Sequence, residues 1–194
     1  MSKAFTKEDS DAGDDDEAPQ LPALPAGTKN YMTPGGHAKL KAELEHLITT
    51  ERPEVTRIVS WAASNGDRSE NGDYLYGKKR LREIDRRMRY LVARLDNAEV
   101  IDPATRDAEQ IFFGATVEVT NQRGETKTIS IVGLDEVDST RGYVSWISPI
   151  ARVLTKHREG DSVLLPTPSG VDELEILSVR YVALATGAQP KSNA

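Results

Sequence analysis

The sequence contains no cysteine, and it has only three histidines and no long apolar run. The absence of Cys excludes a disulfide framework, thiol catalysis and cysteine-ligated zinc or iron–sulfur sites. His37, His46 and His157 do not have the spacing of a paired helical metal motif, so a histidine metal site is not expected. No segment approaches the ~20 apolar residues of a membrane span, and the N-terminus lacks the basic and apolar regions of a signal peptide. We therefore expect a soluble, cytoplasmic protein.

Charge is distributed unevenly along the 194 residues, which carry 25 Lys+Arg and 31 Asp+Glu for a net charge of −6. Seven acids lie within the first 20 residues: Glu8, Asp9, Asp11, Asp14, Asp15, Asp16 and Glu17. Because nucleic-acid footprints are local, the overall acidity does not exclude a nucleic-acid partner. Residues 1–29 combine these acids with prolines and few apolar residues, which predicts a disordered acidic leader, and residues 186–194 resemble a flexible tail.

Two stretches of helical periodicity follow the leader. Thr33 and Pro34 have the order of an N-cap and a first helical residue, and apolar residues then recur at helical spacing to Ala62. Pro53 is expected to kink this helix or to cost it one backbone hydrogen bond. A second stretch alternates steps of three and four from Tyr74 to Ala98. Two helices of about 27 residues each predict an antiparallel coiled-coil hairpin about 40 Å long over residues 30–102, with its tip at 65–73. An ordinary structural hairpin is the alternative.

From residue 103 to 185 the pattern shifts to the period of two that is typical of β-strands. The candidate strands are Thr116–Thr120, Thr126–Val132, Tyr143–Trp146, Asp161–Leu165 and Leu174–Val182. Residues 148–154 predict one short helix, with Ser148 as its N-cap and Pro149 in its first turn. Together these elements predict an α+β chain, in which the hairpin precedes a small antiparallel β domain with one short helix.

Three carboxylates occupy the predicted tip: Asp67, Glu70 and Asp73. Carboxylate oxygens are the ligands that Mg²⁺ prefers, usually one or two of them with waters and substrate phosphates. Asp67 and Glu70 could converge on one cation in a loop, but they need further ligands from elsewhere. The alternative is that Asp67, Ser69 and Asp73 cap the start of the second helix, and among the acids Asp73 is best placed to do so.

A basic run follows the tip on the second helix: Lys78, Lys79, Arg80, Arg82, Arg86, Arg87 and Arg89, with Arg94 further on. Such a run suits a phosphate backbone. The alternative is a solvated coiled-coil flank whose cations pair with acids of the first helix, namely Glu43, Glu45, Glu51 and Glu54.

Several long strings of the chain are recognisable. They are Glu51-Arg52-Pro53-Glu54-Val55-Thr56, Trp61-Ala62-Ala63-Ser64, Gly66-Asp67-Arg68-Ser69-Glu70-Asn71, the residues 76–87, Phe112-Phe113-Gly114 and Ser148-Pro149-x-Ala151-Arg152. From Tyr31 to Val182 the chain closely resembles the bacterial Gre transcript-cleavage factors, which are transcription elongation factors, and within them the GreB branch.

The resemblance implies an FKBP-like C-terminal domain that docks at the rim of the secondary channel of bacterial RNA polymerase, with Ser148 and Pro149 in the docking loop. The hairpin then passes down the channel to a backtracked RNA 3′ end. Asp67 and Glu70 would help to hold a weakly bound Mg²⁺ shared with the polymerase active site, and we expect none in the free protein. The chain would thus be a cofactor rather than an enzyme, and we expect a monomer. The seven residues of the basic run map onto an RNA-binding basic patch.

The chain departs from the family pattern in four places. The acidic leader has no counterpart in short family members, and Ile147 stands where an Asp is expected in the docking loop. Gly72 and Gly77 replace the usual Ala and Asn, and each is expected to weaken the second helix by up to about 1 kcal/mol relative to Ala. Other classes remain possible: a binding-only channel regulator without cleavage stimulation, a prolyl isomerase suggested by fold alone, or the A branch of the family.

Overall fold

The computed structural model describes residues 29–64, 72–168 and 170–187. Its helical part contains α1 (Pro34–His46), α2 (Arg52–Ser64) and α3 (Gly72–Asp96). The predicted start of α1 is confirmed, because the Thr33 side chain accepts a hydrogen bond from the Gly36 N–H and Pro34 follows directly. Contacts between the helices run in opposite chain directions, from Glu43 with Arg87 to Val59 with Gly77. The predicted antiparallel hairpin is therefore present.

The disturbance predicted around Pro53 takes the form of a π-helical turn, Leu47–Glu51, between α1 and α2. The Arg52 N–H donates to the Leu47 carbonyl, one residue further back than in an α-helix. Proline has no N–H, and its ring crowds the carbonyl four residues earlier. The change of hydrogen-bond register directly before Pro53 accommodates both effects without ending the helix.

The apolar seam of the hairpin packs as the helical spacing predicts. Ile84 and Leu91 of α3 are fully buried against Leu40 and Leu47, and Met32 closes the cluster at its base. Gly77 is also buried in the seam, where a Cβ would lie less than 3.0 Å from Val59 Cγ2. The expectation that Gly77 only weakens the helix is thus incomplete, because Gly77 allows a close approach of α2 to α3.

The second helix ends earlier than the sequence predicts. The helical spacing continues to Ala98, but α3 stops at Asp96 and β2 (Ala98–Val100) follows. β2 pairs in parallel with β1 (Asn30–Met32), and the Asn30 N–H donates to the Asn97 carbonyl at 3.2 Å. This distant pairing supplies the backbone partners that replace the helix, and the local pattern contains no sign of it. We call the β1–β2 pair the hairpin base.

The C-terminal part is a five-stranded sheet with the order β5-β4-β3-β7-β6. The strands are β3 (Ala115–Asn121), β4 (Thr126–Val132), β5 (Tyr143–Ser145), β6 (Ser162–Thr167) and β7 (Gly170–Tyr181), and the short helix α4 spans Pro149–Leu154. The predicted α+β class is confirmed. Within this sheet the strand pairs are antiparallel except β4 with β5, which the chain joins through two 3₁₀ turns, Leu134–Glu136 and Ser139–Arg141. The parallel edge makes the sheet mixed.

The core of this domain lies between the sheet and α4. Alternate residues of β3 and β4, such as Val117 and Ile131, point inward and meet Leu154 of α4, which is fully buried. The β3–β7 register shifts between Glu118 and Val119, the position of a β-bulge. This packing fixes α4 and the loop before it. Within the described residues, no helix is long and apolar enough to cross a membrane.

Candidate functional site

The hairpin base and the two helix ends that flank the predicted tip lie at opposite ends of the helical hairpin. α3 has 25 residues, which corresponds to about 37 Å of helix. Ser64 and Gly72, the last and first helical residues on either side of the tip, therefore lie far from the base. Asp67 and Glu70 lie between them and outside the described residues. Asp73 belongs to the first turn of α3, where a carboxylate stabilises the helix N-terminus.

Two members of the basic run are held in ion pairs across the hairpin. Arg87 donates to both carboxylate oxygens of Glu43, with Nε–Oε1 2.6 Å and Nη2–Oε2 2.8 Å. Arg80 donates from Nη1 to Glu83 Oε2 at 2.9 Å and from Nε to Glu51 Oε1 at 2.8 Å. The hydrogen bonds with Glu83 and Glu51 raise the pKa of Arg80, and the hydrogen bond with Glu43 raises the pKa of Arg87. These two arginines therefore serve the hairpin.

Four other members form a separate exposed set, which we call the exposed basic row: Lys78, Arg82, Arg86 and Arg89. Their spacing of four, four and three places them along one side of α3, over about 16 Å. Within the described part of the chain, none of the four pairs with a carboxylate. Asp85, which lies beside the row, is bound to Arg52, with Nε–Oδ1 2.8 Å. Lys79 is also exposed, but it has an interaction of its own and is left out of the row.

The predicted docking loop precedes α4. The Ser148 Oγ accepts a hydrogen bond from the Ala151 N–H at 3.3 Å, so this side chain caps the helix, while Pro149 is exposed. Ile147 is half-buried, and its N–H donates to Ser145 Oγ at 3.3 Å. The neighbouring Trp146 ring contacts Tyr31 of the hairpin base edge-on, with centroids 5.5 Å apart. The docking loop therefore lies directly against the hairpin base.

A buried carboxylate that the sequence analysis missed connects the hairpin to the β domain. Glu136 is only 7% exposed. It accepts hydrogen bonds from the Thr33 N–H (3.2 and 3.1 Å), from the Gly133 N–H (2.7 Å) and from the Thr33 hydroxyl. Gly36 makes room for it, because a Cβ there would collide with Glu136 Oε1. The Gly35-Gly36 pair at a helix start was the only sequence signal of this close approach.

A second polar contact reinforces the same junction. Arg94 is buried, lies 3.3 Å from Asp135 (Nε–Oδ2) and donates to the Tyr90 hydroxyl at 2.9 Å, while that hydroxyl donates to Asp135. Burial, and then the hydrogen bond with Asp135, raise the pKa of Tyr90. Arg94 is therefore structural, unlike the exposed basic row. We call the contacts of Glu136 and Asp135 with the hairpin the junction.

Family models match both parts of the chain. The model "Transcription elongation factor, N-terminal" matches residues 30–100, and "Transcription elongation factor, GreA/GreB, C-term" matches residues 106–181. The chain belongs to the GreA/GreB family. Both the hairpin and the β domain of this Gre factor are thus family elements, and the acidic leader lies outside the matched residues.

Curated relatives place this Gre factor in the GreB branch. It is 58% identical to the transcription elongation factor GreB of Neisseria meningitidis serogroup B over 158 residues, 81% of this chain and 97% of the relative. It is 50% identical to GreB of Pseudomonas putida over 152 residues, 78% of this chain and 94% of the relative. A solved structure, the GreA factor homolog 1 (Gfh1) of Thermus thermophilus, is 23% identical, covers 79% of this chain and 99% of its own, and has a TM-score of 0.38.

Proposed function

We propose that this Gre factor rescues backtracked RNA polymerase by stimulating Mg²⁺-dependent cleavage of the nascent RNA 3′ end. The hairpin enters the secondary channel, the docking loop with Ser148 and Pro149 contacts the channel rim, and the carboxylates of Asp67 and Glu70 act at the polymerase active site. The observation that carries the proposal is the position of Ser64 and Gly72, about 37 Å along the hairpin from its base. The chain between them contains both acids.

The donor chemistry of the two acids fits a shared magnesium ion. Asp67 and Glu70 supply hard oxygen ligands, which Mg²⁺ prefers, but two carboxylates leave most of an octahedral shell to other donors. Mg²⁺ bound there supplies Lewis-acid chemistry for phosphodiester hydrolysis. Asp67 and Glu70 of this chain would hold the ion and orient a water, and the polymerase would supply the remaining ligands. The factor is therefore a cofactor of a nuclease site that belongs to the polymerase.

The exposed basic row supports an RNA contact next to that site. Its four cations begin six residues after the first helical residue of α3 and have no carboxylate partner among the described residues. Phosphates of the displaced RNA 3′ segment can bind there without breaking an ion pair of the hairpin. Arg80 and Arg87, in contrast, would have to give up Glu51 and Glu43 first.

A cleavage assay on a stalled and backtracked cognate polymerase tests the proposal. Wild-type factor should release short RNA fragments from the 3′ end in the presence of Mg²⁺. Asp67→Asn with Glu70→Gln should lower the cleavage rate by at least about 100-fold, because each lost charge removes metal binding or water activation. Competition binding should show that the double variant keeps its affinity for polymerase within about twofold.

Asp96→Asn is the matched control, since Asp96 is an exposed carboxylate at the opposite end of α3. It should cleave like the wild type. Full cleavage by the double variant would contradict the role of the two acids. A wild-type factor that binds polymerase and yields no fragments would instead be a binding-only regulator of the channel.

A further inference from the structure

The exposed basic row is the largest concentration of uncompensated charge among the described residues of the hairpin. All four side chains are exposed, and the two acids that lie between them in the sequence are already engaged, Asp85 with Arg52 and Glu83 with Arg80. Four cations within about 16 Å repel one another unless anions approach. In the free protein, where no RNA is at hand, an anionic segment of the same chain would have a high local concentration.

The acidic leader is such a segment. It carries seven carboxylates between residues 8 and 17 and only two lysines before them. It joins the folded chain at Asn30 in the hairpin base, next to Asn97 at the end of α3. The leader is therefore tethered through its C-terminal end to the hairpin base, beside the C-terminal end of α3, the helix that carries the row.

The distances fit. Arg89 and Lys78 lie eight and nineteen residues before Asn97, or about 12 and 29 Å along the helix. Glu17 and Glu8 lie thirteen and twenty-two residues before Asn30, so the chain can span at most about 45 and 75 Å to them. Every acid of the leader can thus reach the row, and no other stretch of the sequence has a comparable density of acids.

We propose that the acidic leader lies on the exposed basic row in the free protein and competes there with nucleic acid. The contact is ionic and exposed, so salt weakens it, and RNA with its denser phosphates displaces it. The leader would therefore weaken the binding of RNA outside polymerase more than the binding of RNA inside the polymerase channel. This consequence for RNA rests on the proposed function, whereas the intramolecular contact does not.

Amide chemical shifts of the free, full-length protein test the contact directly. The comparison is between the wild type and a variant of equal length in which the seven leader acids are replaced by their amides. At about 50 mM salt, amides of residues 78–89 should shift between the two proteins, and at about 300 mM salt the difference should vanish. Amides of β4, which carries the exposed Lys127, serve as the internal control and should not move.

Binding of a labelled oligouridine gives the second measurement. The neutralised leader should tighten binding by about 3- to 10-fold at low salt and by less than about twofold at high salt. A leader of the same composition in scrambled order should behave like the wild type, because the contact is electrostatic. Unchanged shifts in residues 78–89, or equal shifts in β4, would overturn the proposal. Neither measurement uses polymerase. A negative result here would therefore leave the proposed role in RNA cleavage unaffected, and a negative cleavage assay would leave the expected chemical-shift differences unaffected.

Discussion

Substitution of Gly77 tests whether close helix packing or helix propensity decides the stability of the hairpin. Gly→Ala within a helix normally stabilises by up to about 1 kcal/mol. At Gly77, however, the new methyl group would lie less than 3.0 Å from Val59 Cγ2 and 3.7 Å from Val59 Cβ. Carbon atoms pack at about 3.5–4.0 Å, and valine is confined to one preferred rotamer in a helix, so Val59 cannot turn away cheaply.

Overpacking of this kind costs about 1–3 kcal/mol, which exceeds the gain in propensity. Gly77→Ala should therefore lower the free energy of unfolding by about 0–2 kcal/mol. In a Val59→Ala background the obstruction is gone, and the same change should raise it by about 0.5–1 kcal/mol. The double-mutant cycle should thus give a coupling equal to the overpacking cost, about 1–3 kcal/mol.

Urea denaturation followed by far-ultraviolet circular dichroism measures all four proteins. Gly72→Ala is the matched control, because nothing lies within 4 Å of a Cβ at Gly72. In the protein with the wild-type Val59, Gly72→Ala should leave the free energy of unfolding unchanged or raise it. The packing explanation is refuted if Gly77→Ala stabilises the wild-type protein as much as it stabilises the Val59→Ala protein.

Two further predictions concern the polar contacts of the hairpin. Glu136→Gln should lower the free energy of unfolding, measured by urea denaturation, by about 1–3 kcal/mol, because an amide cannot accept hydrogen bonds from all the N–H donors around it. The control Glu159→Gln, at an exposed position, should change it by less than about 0.5 kcal/mol. Equal effects of the two substitutions would contradict the role of the junction. Replacing the three arginines of the exposed basic row by Gln should reduce the slope of log affinity for oligouridine against log salt concentration by about two to three and leave stability unchanged. Arg80→Gln with Arg87→Gln should instead lower stability and hardly change that slope. The reverse pattern would refute the division of the basic run into paired and exposed residues.

The elements that the sequence predicts well are those whose signals are local. The Thr33 cap, the apolar seam and the α4 cap at Ser148 depend on neighbours within one or two helical turns, and each is found where predicted. The alternation of β3 and β4 likewise survives, because one face of each strand packs against α4.

The elements that the sequence does not predict depend on distant partners. β1 and β2 have only three residues each and exist through their pairing with one another. Glu136 reads as an ordinary surface acid, and only the approach of Thr33 and Gly36, about 100 residues away, buries it. The role of Asp67 and Glu70 stays a prediction, since these residues lie outside the described part of the chain.

The interpretation of the basic run as a hairpin flank that pairs with acids of the first helix holds for part of it, and the RNA-binding interpretation stays a prediction. The pairing expected with Glu43 and Glu51 is present and engages Arg87 and Arg80, whereas no ion pair of Glu45 or Glu54 is found among the described residues. The position of a cation on the helix, rather than the number of charges, decides whether it forms an ion pair, because only residues that face the first helix come within reach of its carboxylates. The remaining exposed row is what an RNA or the acidic leader can contact.

The junction gains its importance from the length of the hairpin. If the proposed function holds, the docking loop fixes the β domain at the polymerase, and the acids act about 37 Å away. At that radius a change of about 10° in hairpin direction displaces the far end by about 6 Å, and misplacement of about 1 Å can already cost much of a catalytic rate. A hairpin of this length therefore requires a rigid connection to the β domain. Two contacts meet that requirement: Glu136, which accepts from the Thr33 N–H at the start of α1 and from the Gly133 N–H of its own domain, and the Arg94–Asp135 pair. Loosening them should reduce cleavage more than polymerase affinity.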